Sequence, residues 1–183
     1  MNVVLVEPEI PPNTGNVAGL CAATQSTLHL VGPLGFRLDD KTLKRAGMDY
    51  WEQVTWKCWE SLESLQATIR KAESGQRKVG TTDEAREGKE EGRPTFYYVT
   101  TKAKRPYTQP RYRADDYLVF GRETAGLPKA LLDANPETTI TIPMFNPQAR
   151  SLNLATAVAV VLYHATWQIG STDGTWPLFP PFS

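Results

Sequence analysis

Short continuous apolar runs alternate along the chain with longer segments in which the apolar residues lie three or four positions apart. The runs are typical of strands buried on both faces of a parallel sheet, and the longer segments of amphipathic helices. The runs predict strands at residues 3–6, 27–31, 95–100, 117–120 and 138–142. The longer segments predict helices that begin at Asn13 or Thr14 and that span residues 39–46, 61–71, 128–133 and 153–169. This alternation indicates an α/β fold, with a parallel sheet covered by helices on both faces.

The last predicted helix is apolar almost all round. Leu154, Val158 and Leu162 lie on one stripe, while Ala159 and Val160 leave little polar surface elsewhere. A helix of this kind must be buried, either in the core or against a second subunit. The pattern alone leaves both alternatives open.

Composition and charge fit one globular domain, predicted at residues 1–170, followed by an irregular tail at 171–183 and interrupted by an exposed polar loop at 83–94. The chain has 20 Lys plus Arg and 20 Asp plus Glu, so any nucleic-acid site must come from local clustering of charge. Cys21 and Cys58 form no paired motif, which favours a reduced, cytoplasmic protein. We expect no membrane span and no signal peptide.

Three loops that follow predicted strands could carry chemistry, because α/β proteins bind ligands at strand ends. They cover residues 7–16, 121–128 and 142–153. Glycines in the second loop allow backbone to approach a ligand closely, and Ser151 or Asn153 can cap the last helix. Ordinary turn chemistry is the alternative for each loop taken alone.

A cluster of basic residues lies between the predicted strands at 95–100 and 117–120. Cations for phosphates beside aromatics for unstacked bases would suit single-stranded RNA, and a solvated loop is the alternative. The cluster comprises Lys102, Lys104, Arg105, Arg111 and Arg113, with Tyr107 and Tyr112 among them.

Other chemistries have little support. The chain contains no GxGxxG, Walker or GxSxG motif. His29 and His164 have no partners at metal-ligand spacing, so structural roles are expected and no metal is predicted. Glu7 and Glu9 could imitate an acid/base pair, but two neighbours in a proline-rich loop point in unpredictable directions.

Taken together and in order, these segments closely resemble the SPOUT methyltransferases. Within that class they resemble the small tRNA wobble-position ribose 2′-O-methyltransferases of the TrmL (YibK-like) group. The resemblance covers residues 3 to about 170, nearly the whole chain. It is carried by EPEIPPNTGN (7–16), LGF (34–36), KRAGMDY (44–50), TTK (100–102), YLVFGRETAGLP (117–128), IP (142–143) and SLNL (151–154).

The resemblance implies a C-terminal deep trefoil knot, a homodimer and S-adenosylmethionine (SAM) as cofactor. It implies transfer of a methyl group to the ribose 2′-hydroxyl of the first anticodon nucleotide of tRNA. By motif position, SAM contacts fall on Val99, Gly121, Ile142, Ser151 and Leu152. Catalytic positions fall on Asn13, Glu123, Ser151 and Asn153, and contacts to the RNA on Lys44, Arg45, Lys102, Arg122 and Arg150.

One position departs from the pattern. Related knotted ribose methyltransferases carry an arginine six residues after the first asparagine of the motif, and this chain has Gly19 there. Another cation such as Arg45, Arg122 or Arg150 could reach the site, or the partner subunit could supply one. The alternative function is a protein that binds SAM and RNA with weak or no turnover. A small-molecule enzyme with a flavodoxin-like sheet is a third hypothesis, and it predicts a monomer that ignores RNA.

Overall fold

The computed structural model describes residues 1–37, 53–76, 92–146 and 148–174. Its strands are β1 (Asn2–Val6), β2 (Thr27–Val31), β3 (Trp56–Trp59), β4 (Phe96–Val99), β5 (Arg105–Pro106), β6 (Tyr117–Phe120) and β7 (Thr139–Thr141). Its helices are α1 (Pro11–Ala23), α2 (Leu62–Gln76), α3 (Lys129–Asp133) and α4 (Leu154–Asp173), with a short 3-10 turn at Pro136–Thr138.

The strands pair in the order β3-β2-β1-β6-β4-β7-β5, and every pairing between them is parallel. The predicted parallel sheet is therefore confirmed. Two late strands lie between earlier ones, because β6 separates β1 from β4 and β7 separates β4 from β5. The trefoil knot stays a prediction.

Helices cover both faces of the sheet, as predicted. Successive strand residues point to opposite faces, so Val3 and Leu5 pack with α1 and α4, whereas Val4 packs with α2 and α3. Val3, Val4 and Leu5 are all fully buried, which explains why the strands appear in the sequence as continuous apolar runs.

The ends of two helices differ from the prediction. Helix α1 begins at Pro11, so Asn13 and Thr14 lie buried inside it and do not cap it. Two prolines fit this start because the first turn of a helix has no acceptor for their missing N–H groups. Helix α4 continues to Asp173 and ends at Gly174 in the left-handed conformation, so residues 171–173 are helical and not part of an irregular tail.

Helix α4 is buried in the core along one side only. One side is buried in the core, with Val158, Val161 and Leu162 at 0% exposure. Another side leaves Tyr163 43% and Trp167 51% exposed.

No helix in the described ranges is long and apolar enough to cross a membrane.

His29, one of the two histidines, is buried, and both of its ring nitrogens have hydrogen-bond partners. The Nδ1 atom of His29 accepts a hydrogen bond from the Trp59 indole at 3.0 Å, and its Nε2 lies 3.2 Å from the Asn2 amide oxygen. Burial lowers the pKa of His29 to about 4, with the nearby Lys57 charge adding to the shift. His29 is therefore a neutral structural residue at physiological pH.

Several predictions lie outside the described residues. These are the helix at 39–46, Lys44 and Arg45, most of the polar loop at 83–94, and the tail beyond residue 174.

Candidate functional site

The loops that follow β1, β4, β6 and β7 meet at the carboxyl-terminal edge of the sheet around a cavity of about 620 Å³. Val99 ends β4, Gly121 follows β6 and Ile142 follows β7, and these strands are neighbours. Ser151 and Leu152 line the same cavity from the segment before α4. The structure thus brings all five predicted cofactor residues to one cavity, at the place where open α/β sheets bind ligands.

The loop after β6 folds back tightly on itself. A Cβ atom at Gly121 would lie 2.2 Å from the carbonyl carbon of Gly126 and 2.3 Å from the nitrogen of Leu127, so only glycine fits there. Gly126 has a φ of +69°, a conformation that other residues adopt at a cost. The two glycines therefore let backbone, not side chains, form this wall of the cavity.

A chain of hydrogen bonds joins three of the four predicted catalytic residues. The Asn13 amide donates to a Glu123 carboxylate oxygen at 3.1 Å, and the Asn153 amide donates to the Asn13 amide oxygen at 2.9 Å. The Asn153 oxygen accepts from the N–H groups of Ala155 at 2.9 Å and Thr156 at 3.3 Å, so Asn153 is the cap of α4. Ser151 lines the cavity beside this chain and is exposed.

Glu123 also secures the start of α1. Its carboxylate accepts from the N–H groups of Glu9 at 2.9 Å and Ile10 at 3.2 Å, immediately before the helix begins. A negative charge at the amino end of a helix is favoured by the helix dipole. Helix α1 has no cap from its N-cap side chain, so Glu123 supplies the acceptor from another loop.

A second set of contacts ties the first loop to the same β6 loop. Arg122 donates to Glu9 at 2.9 Å and to Glu7 at 3.2 Å. The Thr124 hydroxyl and N–H also bind the Glu9 carboxylate, at 2.8 Å and 3.0 Å. Hydrogen bonds from Thr124 and then Arg122 lower the pKa of Glu9. Glu7 and Glu9 therefore act as acceptors for Arg122 and not as an acid/base pair.

Three of the predicted RNA-binding cations line the cavity, namely Lys102, Arg122 and Arg150. Arg122 is paired with two carboxylates, whereas Lys102 and Arg150 are exposed and form no ion pair with any residue in the described part of the chain. Lys44 and Arg45 lie outside that part.

The basic segment is less available to RNA than its sequence indicates. Tyr112 is only 6% exposed; its hydroxyl donates to the Tyr107 carbonyl and its N–H donates to Gln168. Tyr107 is half-buried and packs edge-on against His164. The idea that both tyrosines stack on bases is therefore wrong for Tyr112, which is a core residue. Arg113 forms an ion pair with Asp115 at 2.8 Å.

Gly19 lines a different cavity, of about 650 Å³, between α1 and α4. Its walls carry mostly small side chains, among them Ala22, Ala23, Ala155 and Ala159. The place of the missing arginine is thus a groove on the helix face, adjacent to the first turn of α4.

Sequence reasoning did not predict the contact between two residues of the site. Glu9 and Thr124 join the first and second loops, yet their spacing of more than a hundred residues gives no local signal. Only the parallel pairing of β1 with β6, which places the two strand ends side by side, brings them together.

The family that the chain matches gives the class of protein, the RNA methylases. Residues 1–163 match the SpoU rRNA Methylase family, and the chain belongs to that family.

The names of similar proteins specify a narrower function than the name of the family does. The chain is 43% identical over 171 residues to the tRNA (cytidine(34)-2′-O)-methyltransferase of Yersinia pestis, covering 93% of this chain and 94% of that protein. It is similar to a solved structure concerned with the 2-OH methylation of C/U34 on tRNA, with 38% identity, a TM-score of 0.74, and 91% and 94% of the two chains covered. AviRb of Streptomyces viridochromogenes, solved in complex with AdoMet, is 21% identical with a TM-score of 0.68 over 92% of this chain and 60% of that one, and shows the shared fold.

Proposed function

We propose that this protein transfers a methyl group from SAM to the ribose 2′-hydroxyl of the wobble nucleotide of tRNA. The observation that carries the proposal is the single cavity in which all the motif loops meet, in a chain 43% identical to a relative named for this reaction. The match extends over almost the full length of that relative, so the proposal draws on the whole domain.

The cavity suits SAM. Its volume of about 620 Å³ lies within the range of small-molecule sites. Apolar side chains of Val99, Ile142 and Leu152 stand beside backbone exposed by Gly121, a combination that fits an adenosine with a polar tail. We propose that these four residues and Ser151 hold the cofactor.

When bound, SAM supplies a methyl group on a positively charged sulfur. The task of the protein is to hold the ribose oxygen about 3 Å from that carbon and in line with it. We assign this positioning to Ser151 and to the linked amides of Asn13 and Asn153, with Glu123 holding Asn13 in place. We assign binding of the anticodon RNA to Lys102 and Arg150, with Arg122, Lys44 and Arg45 contributing.

We also propose that the protein is a homodimer. Tyr163 and Trp167 project from α4 with 43% and 51% exposure, next to the groove that contains Gly19 and Ala159. Exposed aromatics beside a groove of small residues are the shapes that pack across a subunit interface. Changing both aromatics to glutamate should yield a monomer in light scattering, whereas Lys71→Glu, on the exposed surface of α2, should leave the dimer intact.

The location proposed for this activity is the cytoplasm. Among the described contacts the two cysteines are unpaired, Cys21 buried and Cys58 exposed. Free thiols are typical of proteins in reducing compartments.

The direct test uses labelled SAM and tRNA, followed by mapping of the methyl group. We expect label on the 2′-oxygen of the wobble nucleotide and none on the same tRNA carrying 2′-deoxyribose at that position. Label on a base, or no label under conditions where SAM binding is measured, would refute the proposal.

Gly19 favours a second candidate, a protein that binds SAM and RNA without efficient turnover. The two candidates differ in the rate of the Gly19→Arg variant. A gain of about 100-fold would favour the second candidate, because that is the scale of one missing proton-transfer or charge-stabilising group.

A further inference from the structure

We propose that Arg150 is the cation that contacts the ribose 2′-oxygen during methyl transfer, in a chain where Gly19 replaces the arginine of the motif. The inference rests on the proposed function and names the residue that assists deprotonation at that site.

The part of the cavity that the structure describes offers no free base for the ribose hydroxyl. Among the described residues that line it there is no histidine and no aspartate, and Glu123 is the one carboxylate. The two oxygens of Glu123 already accept three hydrogen bonds, from Glu9, Ile10 and Asn13. A ribose hydroxyl is a very weak acid, so without a strong base its oxygen needs a positive charge close by as its proton departs.

Three cations among the described residues line the cavity, and their ion pairs distinguish them. Arg122 donates to Glu9 and Glu7, so two carboxylates offset its charge. Lys102 follows β4 beside Val99, on the loop assigned to the cofactor. Arg150 directly precedes Ser151, lies three residues before Asn153 and forms no ion pair within the described ranges. It therefore combines an uncompensated charge with a place next to the polar side chains that would hold the ribose.

Guanidinium chemistry suits this role. Arginine stays protonated and presents several N–H donors in a fixed plane, so it stabilises a developing oxyanion without itself accepting the proton. In the step, an oxygen lone pair forms the bond to the methyl carbon, the carbon–sulfur bond leaves its electrons on sulfur, and the hydroxyl proton passes to water. Arg150 donates a hydrogen bond to the oxygen throughout.

The first test measures single-turnover methyl transfer to an anticodon stem-loop at saturating SAM and RNA. We expect Arg150→Gln to lower the rate constant by about 100-fold, the scale of losing one charge-stabilising group, with Arg150→Lys intermediate. Because the Arg150 guanidinium stabilises the ribose oxyanion, the wild-type rate should level off at a lower pH than the rate of Arg150→Gln, which should keep rising. Lys71→Gln, a charge change on the exposed surface of α2, is the control and should behave as wild type.

The second test is independent of turnover. With S-adenosylhomocysteine bound, wild type should bind the ribose stem-loop about 10-fold more tightly than one with 2′-deoxyribose at the target, the scale of a hydrogen bond to a charged group. Arg150→Gln should bind the two stem-loops with nearly equal affinity. An unchanged ratio, an unchanged rate constant, or a loss that follows Lys102→Gln instead would overturn the inference while leaving the proposed function intact. No transfer by wild type with bound cofactor would refute both.

Discussion

Replacing Glu123 with glutamine tests whether its carboxylate holds the first loop and the β6 loop together. The carboxylate accepts hydrogen bonds at 2.9 Å from Glu9, 3.2 Å from Ile10 and 3.1 Å from the Asn13 amide. A glutamine can place its amide oxygen where it serves Ile10 and Asn13. Its NH₂ group then faces the N–H of Glu9, so an acceptor is replaced by a second donor.

The expected destabilisation follows from these contacts. Leaving a partly buried N–H without an acceptor costs about 1–3 kcal/mol, and loss of the charge at the start of α1 costs about 0.3–1 kcal/mol. Together they predict that Glu123→Gln lowers the free energy of unfolding by about 1–4 kcal/mol. For a domain of this size that corresponds to a Tm lower by roughly 3–16 °C.

Urea and thermal unfolding at a fixed protein concentration measure this change, because a dimer is stabilised by mass action. Glu137→Gln is the matched control, since this exposed glutamate in the 3-10 turn loses the same charge without losing a partner in the described part of the chain. If the free energy of unfolding of Glu123→Gln lies within about 0.5 kcal/mol of the values for wild type and for the control, Glu123 does not hold the two loops together.

Three further changes test other parts of the structure. Gly121→Ala should lower the free energy of unfolding by more than about 3 kcal/mol and abolish SAM binding, because its Cβ would lie 2.2 Å from backbone, whereas Gly126→Ala should cost only about 1–2 kcal/mol. Burial lowers the pKa of His29 to about 4, below its unfolded value of about 6.5, so the unfolded state binds the proton more readily and stability should fall as pH drops from about 6.5 to 4. His29→Gln should remove that component of acid destabilisation, about 3 kcal/mol at most, in unfolding measured across this pH range. Gln168→Leu leaves the Tyr112 N–H and the Pro110 carbonyl without their partner, so amide hydrogen exchange in this loop should accelerate by about 10-fold or more, and an unchanged rate would show that the contact does not hold the loop.

The sequence predicts the fold most accurately where burial is complete. Strand β2 begins and ends where predicted, and so does β6, because four of the five β2 residues and all four β6 residues are buried and appear as continuous apolar runs. Strand β3 was missed because Trp56–Trp59 is a four-residue strand at the edge of the sheet whose two central residues are exposed, so it forms no continuous buried apolar run. Strand β5 has only two residues, too few for any periodicity.

The site could be predicted in part. Residues that follow strands, such as Gly121 and Ile142, were found because a parallel sheet places strand ends together. The contacts of Glu9 with Thr124 could not be found, because they depend on which strands are neighbours. The interpretation of Tyr112 as a stacking surface failed for the same reason, since the covering of this loop by Gln168 and His164 is a tertiary effect.

The motif residues divide into two groups by whether their polar atoms already have partners. Glu123, Asn13 and Asn153 use theirs on one another and on the starts of two helices. We propose that these three residues fix the shape of the cavity, and that the chemistry depends on lining residues whose polar groups remain available, above all Ser151 and Arg150. A chain with Gly19 can keep the whole framework intact because that framework never used a side chain at position 19. Loss of the motif arginine therefore need not destabilise the fold, and its consequence should appear in the rate of methyl transfer and not in the unfolding transition.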